Sequence, residues 1–174
     1  MGMIKWNKSY FGMIASPLAV SEVILAHLGF VIFRVATTCA VFLAVMAPFG
    51  VFTSVAGVFA AFFVQLLIGA AFATPVYAFS AGLKDESPFP LLFRFGVIPL
   101  FLFSGAFFPI TNLDGWMQVL AKATPLWHGV DLTRMLVLGR VDVPLALVHV
   151  AYLAALALLG WALATRNLRR RLID

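Results

Sequence analysis

The chain carries little charge and almost no means of covering itself with water. Of its 174 residues seven are acidic and twelve basic, 11% in all, against 63% apolar, where a soluble chain has about 25% charged and about 45–50% apolar residues. A water-facing surface needs a polar shell, so a soluble domain is excluded. Intrinsic disorder is excluded too, because so much apolar side chain cannot stay solvated. Cysteine is nearly absent: Cys39 stands alone in an apolar run, which removes any disulfide framework and any CxxC metal or redox site. No G-x-x-x-x-G-K-[ST] phosphate loop and no H-E-x-x-H occur, and His27, His128 and His149 lie far apart in sequence. Ser104 and His149 lack the supporting motif that an intramembrane serine protease would need. No cleavable signal follows Lys5 and Lys8, since Ser16-Pro17 and Glu22 interrupt the apolar core, and Trp6 stands where a myristoylation motif wants Ser or Thr. These absences leave an integral membrane protein about one domain long, with no catalytic group and no metal site of its own.

What is present are long stretches without Asp, Glu, Lys or Arg: 35–83, 95–113 and 143–165. A bilayer core of about 30 Å takes roughly 20 helical residues to cross. The first stretch is long enough to cross twice, turning at Pro48-Phe49-Gly50. The pattern predicts an all-α membrane protein with four transmembrane helices, near 27–47, 53–80, 91–109 and 144–165. As one transmembrane domain over 1–174, it divides into a lead-in (1–26), spans one to three (27–109), a segment between the last two spans (110–142), and span four with a basic tail (143–174).

Nine basic residues fall on one side: Lys5, Lys8, Arg34, Lys84, Arg94, Arg166, Arg169, Arg170 and Arg171. The other side has Lys122, Arg134 and Arg140, balanced by Asp114, Asp131 and Asp142. By the positive-inside rule both termini are expected to be cytoplasmic. The four tail arginines read as a topology anchor at anionic headgroups rather than a nucleic-acid patch.

Within this frame, residues 5–22 read as a short interfacial helix, capped at Ser16-Pro17, or as a plain amphipathic anchor. Arg34 either snorkels to the interface or faces the bundle interior. Span two carries small residues four apart, Ala56/Ala60, Gly57/Ala61 and Gly69/Ala73, which let another helix approach closely. Pro75 is expected to bend it, and Gln65, the amide in its middle, to form an interhelical hydrogen bond. Between spans three and four, Trp116, Val119, Leu120 and Ala123 recur at helical spacing, and Thr124-Pro125 starts a second helix. Apolar spacing with balanced charge predicts two short helices at or dipping into the outer interface. His128, Asp131 and Arg134 share one face of the second helix, as a solvated face with a local ion pair or as the lining of a pathway. His149 reads as a polar residue near the outer end of span four. Asp142 and Pro144 supply that span's start.

The stretches SGAFFPITNLDGW (104–116) and LAKATPLWHGVDLTR (120–134) resemble the permease subunits of ABC-2 type exporters, in the branch that handles drugs, nodulation factors and polysaccharides. The matching positions are Ser104, Gly105, Phe108, Pro109, Leu113, Trp116, Pro125, Leu126, His128 and Arg134, and ASPLAVSEV (15–23) is similar to the cytoplasmic segment before that family's third span. The resemblance implies a multi-pass permease in a bacterial cell membrane that exports an amphipathic molecule. It implies pairing with a second permease copy and with a separate ABC ATP-binding subunit, which carries the ATP and Mg; the chain itself needs no cofactor and no nucleic acid. Ser16, Pro17 and Glu22 would then couple to the ATPase, and the two short helices would be a re-entrant hairpin closing the outer end of the path. Phe107, Phe108, Trp116, Trp127, His128, Asp131 and Arg134 would line that path or gate. Family permeases have six spans and only four are predicted here, so the chain resembles the last two-thirds of one. An ion-coupled transporter is the alternative, disfavoured by the lack of a carboxylate in the predicted spans; a non-transporting scaffold or truncated remnant is another.

Overall fold

The structure, a computed structural model, describes residues 20–82 and 88–173. Helix α1 (Val20–Met46) turns through the short 3-10 segment Ala47–Phe49, where Gly50 takes a left-handed φ of 66°, into α2 (Val55–Gly82). The chain therefore reverses at the predicted Pro-Phe-Gly, because glycine accepts a conformation that a Cβ disfavours. After a composite helix α3 (Pro88–Leu102) come two short helices, α4 (Gly115–Lys122) and α5 (Pro125–Val137), and then the long α6 (Val143–Ile173). No strand occurs among the described residues, and the protein is an all-α membrane protein. Three helices, Leu25–Phe49, Val55–Gly82 and Val143–Asn167, are long and apolar enough to cross a membrane.

The third predicted span differs from its expected limits. Helix α3 ends at Leu102 rather than near 109 and is widened through Leu92–Val97 into a π-helical stretch. At about 1.5 Å per residue it rises about 22 Å, short of a bilayer core. Its end is fixed locally. The Ser104 hydroxyl donates to the Phe101 carbonyl at 2.6 Å, and Gly105 follows with φ 77°, so side-chain bonding and a left-handed residue take the backbone out of the helix.

Helix α2 is the centre of the bundle. It packs along α6 for much of its length, against α1 on another face and against α5 along its first half. The α2–α6 seam is close enough that a Cβ added at Gly160 would meet the Thr74 hydroxyl and the Pro75 ring. The Thr74 hydroxyl also lies 3.0 Å from the Ala157 carbonyl, and Asn167 donates through Nδ2 to the Ala78 carbonyl at 3.0 Å. Leu28, Tyr77, Ala78 and Ala164 form a buried cluster there with Ala73 and Trp161. The predicted small pairs serve two neighbours: Gly69 meets Val35 of α1, while Gly57 meets the Leu136 carbonyl of α5. Pro75 lies inside a helix that continues to Gly82. Phe30, Phe33, Phe42, Leu158 and Leu159 are exposed, as an exterior facing acyl chains requires.

Candidate functional site

Helices α4 and α5 are joined by the short link Ala123-Thr124, and α5 packs beside α2. Thr124 caps α5, its hydroxyl accepting from the Trp127 amide, and Pro125 occupies the first turn, as the sequence predicts. From there α5 runs along α2. Gly129 lies against Ile68, Thr133 is bonded to Gln65, Leu136 faces Gly57, and Val137 accepts from the Thr53 hydroxyl. Those contacts run over the first half of α2, about 20 Å of helix at about 1.5 Å per residue. The expected interhelical bond of Gln65 is there, from Nε2 to Thr133 Oγ1 at 3.4 Å.

The polar face of α5 does not form a local ion pair. Its three members turn to other segments, Arg134 to the turn after α3 and both His128 and Asp131 to His149 of α6. Arg134 donates to the Gly105 carbonyl at 2.7 Å, tying α5 to the turn after α3. His128 places Nδ1 at 2.6 Å from Nδ1 of His149, and His149 Nε2 lies 3.2 Å from Asp131 Oδ2. His149 is fully buried, His128 is buried, and the Asp131 side chain is 22% exposed. Tyr152, one turn beyond His149 on α6, stacks on the His128 ring at 4.1 Å and donates its hydroxyl to the Ala123 carbonyl at 2.8 Å. Trp127 sets its edge against both imidazoles, with ring centroids 5.0 and 5.2 Å away.

The donor pattern follows from the partners. A carboxylate only accepts, so the contact with Asp131 calls for a donor at His149 Nε2, and the contact between the two Nδ1 atoms is a hydrogen bond when one of them carries a proton. Burial, followed by the charge of His149, pushes the His128 imidazole below its ordinary value; a backbone contact from Lys122 and the Asp131 carboxylate oppose this. Among the described residues no group of three His, Cys, Asp or Glu side chains is arranged to hold a metal.

Of the residues singled out in the sequence, Trp127, His128, Asp131 and Arg134 come together here. Trp116 and Phe107 are exposed, Phe107 packing edge-on against Phe101 at 4.7 Å, and Phe108 is half-buried. Glu22 lies exposed in the first turn of α1; Ser16 and Pro17 fall outside the described residues. His149 and Tyr152 are the members that sequence reasoning missed. Their three-residue spacing on one face of an apolar helix was the available signal. Asp131, expected beyond the spans, stands beside a buried residue of the last long helix.

The profile of the ABC-2 type transporter family matches residues 3–138. Nodulation protein J of Rhizobium meliloti (strain 1021) is 33% identical over 107 residues, 62% of this chain and 40% of that protein. Nodulation protein J of Rhizobium leguminosarum bv. trifolii is 27% identical over 172 residues, 99% of this chain and 65% of its own length. That of Sinorhizobium fredii (strain NBRC 101917 / NGR234) is 26% identical over 97% of this chain and 63% of the relative. The chain thus spans at most about two-thirds of these relatives. No solved structure matches. With a family match over most of its length and a bundle of long apolar helices, the chain belongs to the ABC-2 type transporter family.

Proposed function

We propose that this chain is the membrane-embedded permease part of an exporter for an amphipathic molecule, a drug, lipo-oligosaccharide or polysaccharide, energised by a separate ABC ATP-binding subunit that carries ATP and Mg. Two permease copies form the path across a bacterial cell membrane, with both termini in the cytoplasm. Ser16, Pro17 and Glu22 belong to the segment that meets the ATPase. The remainder of α3 and the turns to Pro109 complete the third crossing. The hairpin of α4 and α5 is re-entrant from the outer face and closes that end of the path, with Trp127, His128, Asp131 and Arg134 on its working side and Phe107, Phe108 and Trp116 at its rim.

The observation that carries this reading is the course of α5 along the first half of α2. A helical hairpin inserted about 20 Å into a bundle, and held there by a few polar contacts, is suited to open and reseal the bundle. Aromatic, weakly polar surfaces pass an amphipathic molecule with little desolvation cost. The contact of Asp131 with His149 favours a second reading, in which proton flow drives transport.

Proteoliposomes holding the complete complex, loaded with a fluorescent lipo-oligosaccharide, separate these readings. Transport is expected to require ATP and to survive a protonophore, and Trp127→Ala and Arg134→Ala are expected to cut or leak it several-fold at unchanged abundance. Transport that collapses with the protonophore while ATP is present would establish the proton-driven reading. An intact complex that moves nothing would leave a scaffold.

A further inference from the structure

The α4–α5 segment is tied to α6 through a buried polar junction. His149 has one nitrogen facing the Asp131 carboxylate and the other facing Nδ1 of His128 at 2.6 Å. Two proton loads satisfy this arrangement. With both imidazoles neutral, His128 donates from Nδ1 to the bare Nδ1 of His149, which keeps its own proton on Nε2 for Asp131. With one further proton the pair carries one positive charge, balanced by the carboxylate, and one hydrogen still lies between the two Nδ1 atoms. A second further proton leaves two N–H groups pointing at each other. At 2.6 Å that is both a lost hydrogen bond and a repulsion between two buried cations.

We propose that Asp131, His149 and His128 form a proton-operated latch by which the last long helix holds the hairpin, closed while a single proton joins the two imidazoles and released when both are charged. This deepens the gate reading above and rests on it only for the consequence to transport.

The surroundings of the pair offer little to relieve a second charge. From α6 the neighbours are His149 and the stacked Tyr152, whose hydroxyl is engaged by Ala123. From α5 they are Asp131, already bonded to His149, and Arg134, another cation, bonded to Gly105. From the end of α4 comes the backbone of Lys122, and α2 carries no Asp, Glu, Lys, Arg or His along its length. The sign follows. In the released hairpin His128 takes its proton near its ordinary value of 6.5, whereas in the seated hairpin it does so only at lower pH. Seating is therefore fully favoured above that ordinary value and weakens as the pH falls through and below it.

The test reads the hairpin directly. In the complete complex, in lipid nanodiscs, a labelled chain diluted into unlabelled copies carries Cys39→Ser and spin labels at Val119→Cys on α4 and Leu147→Cys on α6, both exposed positions. Their separation, measured by double electron–electron resonance, is expected to lengthen and broaden by several ångström between about pH 8 and about pH 5, the interval in which histidine changes charge. His128→Asn keeps a hydrogen-bonding group in place of Nδ1 but takes no proton, so its distance distribution should stay closed at both pH values. Asp131→Asn, which removes the balancing charge, should shift the opening to higher pH and keeps the idea testable if His128→Asn fails to assemble. An unchanged wild-type distance, or an acid opening of His128→Asn equal to wild type, would overturn the latch. An acid opening that left ATP-driven transport unaltered would uphold the latch and remove the hairpin as the gate.

Discussion

The two ends of the α2–α6 pair are held by different physics. At the end marked by Ala78 and Asn167, contact depends on small side chains: Gly160 sits against Thr74 and Pro75, and Ala78 and Ala164 are buried. At the end marked by Thr53 and Val143 the same two helices are bridged by α5, and the close approaches at Gly57 and Gly129 are joined by many hydrogen bonds: Thr53 to Val137, Gln65 to Thr133, Tyr152 to Ala123, and His149 to both His128 and Asp131. A close-packed seam has one good arrangement, because any displacement opens voids or clashes. A hydrogen-bonded seat has others, since its bonds can be remade with water or with different proton loads.

The largest effect in breaking this comparison is expected at the close-packed end. Gly160→Val places branched carbon against the Pro75 backbone nitrogen and ring, which cannot rotate aside, and overpacking of this kind costs about 1–3 kcal/mol or more. The variant should lose most of its monodisperse protein in fluorescence-detected size-exclusion chromatography and melt well below wild type.

An intermediate effect is expected where the hairpin touches α2. Gly57→Ala would set its methyl against the Leu136 backbone carbonyl, while Gly129→Ala would meet only the side chain of Ile68. Backbone cannot swing away and an isoleucine side chain can, so Gly57→Ala should cost roughly 1–2 kcal/mol and raise protease sensitivity across 115–137, with Gly129→Ala closer to wild type in the same digestion. Equal sensitivity of the two would show that the hairpin shifts as a body.

The smallest effect sharpens the comparison at the polar end. Gln65→Leu removes one long bond of 3.4 Å, and single interhelical hydrogen bonds in membranes average about 0.6 kcal/mol. Its thermal midpoint should sit close to wild type. A large loss would mean that this bond, and not the histidine junction, seats the hairpin.

Much of the fold was legible because membrane helices announce themselves by composition. The stretches free of charge contain all of span α2 and most of α6, and the Pro-Phe-Gly turn between the first two helices stands where expected. Helix starts were legible for the same local reason. Thr124 and Asp142 act on amides three residues away, so their signals sit in adjacent sequence. The end of α3 was harder to read, since an apolar run continued past Leu102 while the Ser104 hydroxyl and Gly105 took the backbone elsewhere. The polar face of α5 was recognised, but its partners were not. His128 meets a residue 21 positions away and Arg134 one 29 positions away.

By itself the sequence determined the class, the long apolar helices, the starts of α5 and α6 and the presence of a polar face on α5, because each depends on composition or on residues within a turn of one another. Only the tertiary structure decided which neighbour each face received. A helix that is apolar nearly all round carries little preference for its own rotation, so the local pattern of α6 sets His149 and Tyr152 on one face without saying which neighbour that face receives. That rotation is fixed at a distance, by the close approach of Gly160 to Thr74 and Pro75 and by Asn167 on Ala78. With those contacts made, the two buried imidazoles meet.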